Sequence, residues 1–319
     1  MTAPLPPDLE KALGVRLIAR RVPREDGSGI MVYSISEGED QAPRPTIVLL
    51  HGSGASSVFA QSEGQTCAPL LFTALRQICD EWDVHFVEKR GVSFGDCEPE
   101  GGAEGAGAEY VQGASYEGRV SDVCRVLDAL LPGRHATTLP VVVIGSSEGS
   151  DIAVGVAARH HAPTHVALLP FSAGHGLHDC LVSLRRELAE GTLTAAEFRE
   201  QYDWLVETFQ NVLGPAGDAT DRFLWGHSYR RWRSHCSGAV LQDLLGVEIP
   251  IFLGIPSLDL CDGADLVVSE FVKHGKRNLT YRNYVGYDHG FFETVGGRAQ
   301  CRHEQVLNDI LEWVGPDRK

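Results

Sequence analysis

The sequence predicts an α/β protein: a mostly parallel central sheet flanked by helices, interrupted once by a helical insertion. Two observations carry this. Short, apolar, β-branched runs (TIVLL, LPVVVIG, THVALLPFS, IPIFLGI) alternate with amphipathic helical stretches, as in a sheet buried on both faces. Between residues 173 and 248 the alternation stops and gives way to long helical patterns rich in aromatic residues.

The elements follow in order. VRLIARRV and IMVYSIS flank the turn REDGSG, a hairpin signal. TIVLL, Thr46 to Leu50, is a buried strand that stops at HGSGASS. A helix is expected around Ala68 to Cys79, and DVHFVEK is the next strand. DCEPEGGAEGAGAEYVQGAS has no apolar period and reads as a mobile surface loop; whether its 101–107 stretch is a lid stays open. YEGRVSDVCRVLDALL carries an apolar stripe at Val120, Val123, Cys124, Leu127, Leu130 and Leu131, the spacing of a helix. VVVIG is a strand that opens directly into the helical SDIAVGVAARHH. In the insertion, Thr194 followed three residues later by Glu197 is a capping-box signature. IPIFLGI, ADLVVSEFVKHG, LTYRNYV and QCRHEQVLNDILEWV then restore the strand–helix rhythm. The expected division is a core of residues 1–172 and 249–319 with a cap of residues 173–248.

Composition excludes several functions. The chain has 319 residues, 43% of them apolar, enough for a sizeable core. A net charge of −15 argues against nucleic acid as a partner. The start, MTAPLPPDLEKALG, lacks a basic segment followed by an apolar one, and no run has the length of a membrane span, so a cytoplasmic location is expected. None of the eight cysteines forms a C-x-x-C pair. Free thiols are the default, with a Cys67–Cys97 disulfide as the alternative. HGLH and HSYRRWRSH do not have metal-site spacing, and no metal is expected.

The chemistry turns on a pattern that occurs twice. Gly91–Gly95 (GVSFG) and Gly145–Gly149 (GSSEG) both fit G-x-S-x-G. The first runs into the glycine-rich loop, where nothing holds Ser93 on a rigid turn. The second follows VVVI and opens into a helix, the context in which a sharp turn strains the central residue and lifts its hydroxyl above the sheet. That residue is Ser147. Serine needs a base, and the base an orienting carboxylate. His289, in NYVGYDHGFFE, follows a strand. Asp259 lies closest to the end of IPIFLGI, Asp262 is the alternative, and Asp265 reads as a helix N-terminal acid. Two backbone N–H groups are candidates for an oxyanion hole: that of Glu148, and that of Ser53, with Gly54 as alternative, in the loop after TIVLL. The Glu148 side chain is expected to turn away from the site into a hydrogen bond; the alternative is that it lines the entrance and disfavours anionic substrates.

In chain order these features run strand–HG loop, G-x-S-x-G, Asp, His. On LLHGSG, VEKRGVS, VVVIGSSEG, the Asp after IFLGIPSLD, and YDHG, the chain resembles the α/β-hydrolase family over nearly its whole length after Thr46. The resemblance implies the α/β-hydrolase fold with a helical cap. It also implies a Ser147–Asp259–His289 triad and an acyl-enzyme route without cofactor. A serine in the elbow points to cleavage of a carboxylic ester in a small-molecule acyl substrate. An amide, peptide or thioester substrate uses the same triad; an acyltransferase and a non-catalytic binding protein are the remaining readings. Gly54, Trp204, Trp225 and Tyr229 are candidate pocket residues, against the alternative that the cap aromatics form the cap's own core. Arg230, Arg231 and Arg233 read as a solvated helix face, with binding of a substrate carboxylate as the alternative.

Overall fold

The computed structural model describes residues 2–3, 5, 9–35, 43–63, 65–132, 139–259 and 263–315. Its centre is a nine-stranded sheet. In chain order the strands are β1 (Thr2–Ala3), β2 (Leu17–Pro23), β3 (Gly29–Ile35), β4 (Thr46–Leu50), β5 (Asp83–Val87), β6 (Val141–Ser146), β7 (His165–Leu169), β8 (Ile251–Pro256) and β9 (Leu279–Tyr284). In space the order is β1-β2-β3-β5-β4-β6-β7-β8-β9. The pairs from β5 to β9 are all parallel, while β3 is antiparallel to β2 and β5. The chain thus has the mostly parallel sheet that the apolar runs predict.

Successive side chains of a strand point to opposite faces, and the core divides accordingly. Val48, Leu50, Val143, Val166, Leu168, Ile251 and Leu253 face one layer. Ile47, Leu49, Val142, Ile144, Ala167, Leu169 and Phe252 face the other. The first layer is covered by α1 (Tyr116–Leu130), α2 (Glu148–Arg159), α6 (Ala239–Gly246) and α7 (Gly263–Lys273), and the second by α8 (His303–Val314). Between α2 and α6 lie α3 (Gly176–Glu190), α4 (Ala195–Leu213) and α5 (Tyr229–Cys236). Around Leu184, Leu205, Phe209, Val212 and Leu224 these elements build a separate cluster. Val240 and Leu244 of α6 instead pack into the main core. Both bonds of the Thr194–Glu197 capping box are present at the start of α4.

Three local expectations change. The helix expected over Ala68–Cys79 is one short turn, Phe72–Leu75. The loop expected to be mobile is packed: Gly102–Gly105 forms a 3-10 turn, Ala108–Gly113 a short helix, and Ala103, Tyr110 and Val111 are buried with Ala55 and Val92. Its alanines and Tyr110 supply apolar surface that composition averaged over glycine and acid conceals. Cys67 and Cys97 are exposed free thiols. Among the described residues no helix is long and apolar enough to cross a membrane.

Candidate active site

The sharpest backbone feature lies at the end of β6. Ser147 has φ 55° and ψ −126°, a region an L-residue occupies only under constraint. Several contacts impose it. The Ser147 N–H donates to Leu169 O at 2.7 Å. Buried Ser150 donates to Gly145 O at 2.9 Å and accepts from Leu169 N at 2.9 Å, tying strand to helix. A Cβ on Gly149 would overlap the Leu50 carbonyl, and one on Gly145 would overlap the first turn of α2. Both glycines of the motif are therefore steric requirements. Gly52 presses its bare Cα toward the same point: a Cβ there would sit 3.1 Å from Ser147 Cβ and 3.6 Å from its Oγ. The loop carrying Ser53 thus runs beside the serine. Gly54 has φ 87°, and a Cβ on it would collide with the Glu98 carboxylate.

Ser93 is in different surroundings. It is exposed, its N–H donates to Asp96 Oδ2 at 2.7 Å, and no helix opens after Gly95.

Asp259, after β8, and His289, after β9, meet. His289 Nδ1 lies 2.9 Å from Asp259 Oδ2, with the histidine side chain 55% exposed and the aspartate 9% exposed. The hydrogen bond to Asp259 raises the His289 pKa above its ordinary value against the pull of desolvation. The two loops are stitched together: Ser257 N donates to Tyr284 O at 2.9 Å, Leu258 N to Tyr287 O at 3.0 Å, and Gly286 N to Ser257 Oγ at 2.8 Å. Asp288, the other nearby acid, caps its own turn by accepting from Gly290 N and Phe292 N. Asp262 lies outside the described residues, and Asp265 stands in the first turn of α7.

Glu148 is held by charges the sequence did not disclose. Its Oε1 accepts from Arg119 Nη1 and its Oε2 from Arg231 Nε, the latter at 2.7 Å. All three side chains are at most one-tenth exposed. Burial favours the neutral acid, but Arg231, His235 and Arg119 overcome it and hold the carboxyl well below its ordinary range. Arg119 also donates from Nη2 to His51 O at 2.9 Å. One guanidinium thus joins the residue after Ser147 to the loop beside it. Arg231 is buried in this pair, where a solvated face was expected. An acid at a buried elbow demands a cation, but the demand does not say which one. His51 stays neutral, its pKa pushed down to about 3 by burial and by Lys89 and Arg119.

Ser147 opens on a cavity of about 280 Å³ that also touches Glu148, Phe171, Trp225, Arg231, Trp232 and His235. Of the candidate pocket residues, Trp225 lines it, Trp204 lines a neighbouring cavity, and Tyr229 packs against the insertion's own cluster. Phe209 is buried there as well, as the core alternative has it. Among the described residues no three His, Cys, Asp or Glu side chains are grouped to hold a metal ion.

Neither a protein-family model nor a curated protein sequence matches the chain. Solved structures do resemble it. One is a Mycobacterium tuberculosis puromycin-hydrolyzing peptidase, with TM-score 0.53 and 16% identity over 91% of this chain and 38% of that one. Another is an acetyl xylan esterase from Paenibacillus sp. R4, with TM-score 0.56 and 15% identity over 98% and 88%. A third is a Pyrococcus horikoshii acylaminoacyl peptidase, with TM-score 0.58 and 11% identity over 96% and 42%. The chain spans less than half the length of the two peptidases. It adopts the α/β-hydrolase fold, as its motifs led one to expect.

Proposed function

We propose that the chain is a serine hydrolase that cleaves a carboxylic ester of a small acyl substrate. The observation that carries this reading is the strained Ser147 at the strand–helix turn, together with the paired Asp259 and His289 at the ends of two strands of the same sheet. A plain connecting loop has no need of that strain.

The roles follow from the chemistry. Ser147 Oγ attacks the carbonyl carbon while His289 takes its proton. Asp259 holds the imidazole tautomer and stabilises the cation that forms. The N–H groups of Glu148 and Ser53 receive the oxyanion charge. His289 returns the proton to the leaving alcohol, and water, deprotonated by the same histidine, releases the acid from the serine. Arg119 and Arg231 act as positioning residues by fixing Glu148, and Arg119 also fixes the carbonyl of His51. Residues 173–248 serve as the cap, with α3 and α5 beside the serine. In this reading Gly54 keeps the loop beside Ser53 clear, and Trp204 and Trp225 contact substrate.

The same triad would cleave an amide. Paired p-nitrophenyl ester and p-nitroanilide substrates separate the two. The ester reading expects turnover of the ester well above that of the anilide, lost in both Ser147→Ala and His289→Ala. Anilide turnover equal to ester turnover would move the assignment to an amidase. Ester turnover that survives Ser147→Ala would contradict the triad.

A further inference from the structure

We infer that the substrate carries an extended apolar acyl chain. On this account the chain passes Trp225 from the cavity at Ser147 into a second cavity between α3 and α4. The inference rests on the serine-hydrolase reading and narrows its substrate class. The second cavity, of about 350 Å³, is lined by Leu184, Leu205, Cys180, Trp204 and Trp225, together with the polar Asp179, Ser183 and Gln201. It shares Asp179, Cys180 and Trp225 with the cavity at Ser147, so the two adjoin. No basic residue lines it, which disfavours an anionic tail.

The backbone at Trp225 supplies an independent observation. Trp225 and Gly226 form the two-residue loop of a small hairpin between Phe223–Leu224 and His227–Ser228. Their φ values are 47° and 71°. Such loops require positive φ at both positions and favour asparagine or aspartate before glycine. A tryptophan in that region is a genuine outlier. The hairpin is held at its second loop position: Gly226 lies against Gly102, and its carbonyl accepts from Ala103 N at 2.6 Å. The indole nevertheless stays 50% exposed, and Trp204, 5.9 Å away edge to face, is 47% exposed. A strained backbone that holds a large apolar side chain half in solvent between two cavities fits recognition better than it fits packing.

The geometry also tells which half of the substrate enters. The leaving group departs toward His289, the proton donor. Among the described residues, those lining the Ser147 cavity come from α2, the end of β7, the approach to α3 and its first turns, the hairpin and α5, and none from the loop that carries His289. The group that stays on the serine therefore occupies it.

Alkyl fluorophosphonates test this without any assumption about the leaving group, because the alkyl chain stands where the acyl chain would. The full-length protein is labelled with a methyl and an octyl fluorophosphonate, and the rate of Ser147 modification is followed by mass spectrometry. In an apolar pocket each added methylene is worth a sizeable factor, so the octyl probe is expected to react at least about tenfold faster. Trp225→Gly, which suits the positive φ, and Trp204→Ala, on the exposed side of α4, should each remove most of that preference, read as the octyl-to-methyl rate ratio of the same variant. Equal rates for the two probes, a faster methyl probe, or a preference untouched by both variants would overturn the inference while leaving the hydrolase reading intact. No modification of Ser147 by either probe would instead overturn the hydrolase reading itself.

Discussion

Ser147 and His289 are held in different ways. Ser147 is fixed by the interior: a strained backbone, two glycines with no room for a Cβ, the Ser150 staple, and beside it a buried carboxylate between two arginines. His289 stands on a surface loop, more than half exposed, oriented by one carboxylate and by loop-to-loop hydrogen bonds. The contrast teaches that damage on the two sides should be felt differently. Changes around Ser147 should unfold the protein as well as disable it. Changes around His289 should disable it and leave the fold alone.

The largest effect tests the His289 side. Asp259→Asn is expected to lower ester turnover by about 10⁴-fold by upsetting the imidazole tautomer, with the thermal midpoint almost unchanged. In the proposed triad His289 must be neutral to act as base, and Asp259 raises its pKa, so the acid limb of the wild-type pH–rate profile is expected above the ordinary histidine value. In Asp259→Asn the limb should move to lower pH. A large fall in the thermal midpoint would break the contrast.

The interior side should respond in the opposite sense. Arg119→Ala leaves Glu148 buried with one arginine instead of two, and breaking a buried pair costs about 3–5 kcal/mol. Chemical denaturation should show a loss of that order, accompanied by a fall in turnover. Arg119→Lys should not restore turnover, because one ammonium does not reproduce the fork that reaches both Glu148 and His51 O. A variant as stable as wild type would show that the pair holds nothing in place.

A smaller effect comes from pH alone. His51 and His227 are kept neutral, with pKa values pushed down to about 3 and about 4, chiefly by burial. Unfolded, they would take up protons near pH 6.5. Their contribution is therefore present above about pH 6.5 and is lost as pH falls toward their folded values. Glu148, held below its ordinary value, adds its loss below about pH 4.5. The thermal midpoint should decline on acidification from pH 7 to 5. A flat profile would mean that the histidines are not buried neutral. The smallest effect is Ser93→Ala, the other G-x-S-x-G serine, which should change neither turnover nor stability.

Most of the sheet was legible because buried strands write continuous apolar runs, and β4 and β6 stand where TIVLL and VVVIG put them. The elbow was legible from its context of strand before and helix after. Asp259 and His289 follow the two expected strands, and the structure brings them into a hydrogen bond. The polar network around Glu148 was not legible, because its partners lie 29 and 83 positions away and the farther one, Arg231, reads locally as part of a solvated helix face. Ser150, which staples the elbow, looked like an ordinary helix residue. The packed 101–113 segment was missed because its apolar contributors are scattered among glycines and gain meaning only against Ala55 and Val92.

The proposed chemistry stands or falls with Ser147 as an activated nucleophile. The most direct test is to treat the protein with a fluorophosphonate and locate the adduct by peptide mass spectrometry. A single adduct on Ser147, abolished in His289→Ala, is the expected result. An adduct on Ser93, or no adduct on the folded protein, would contradict it.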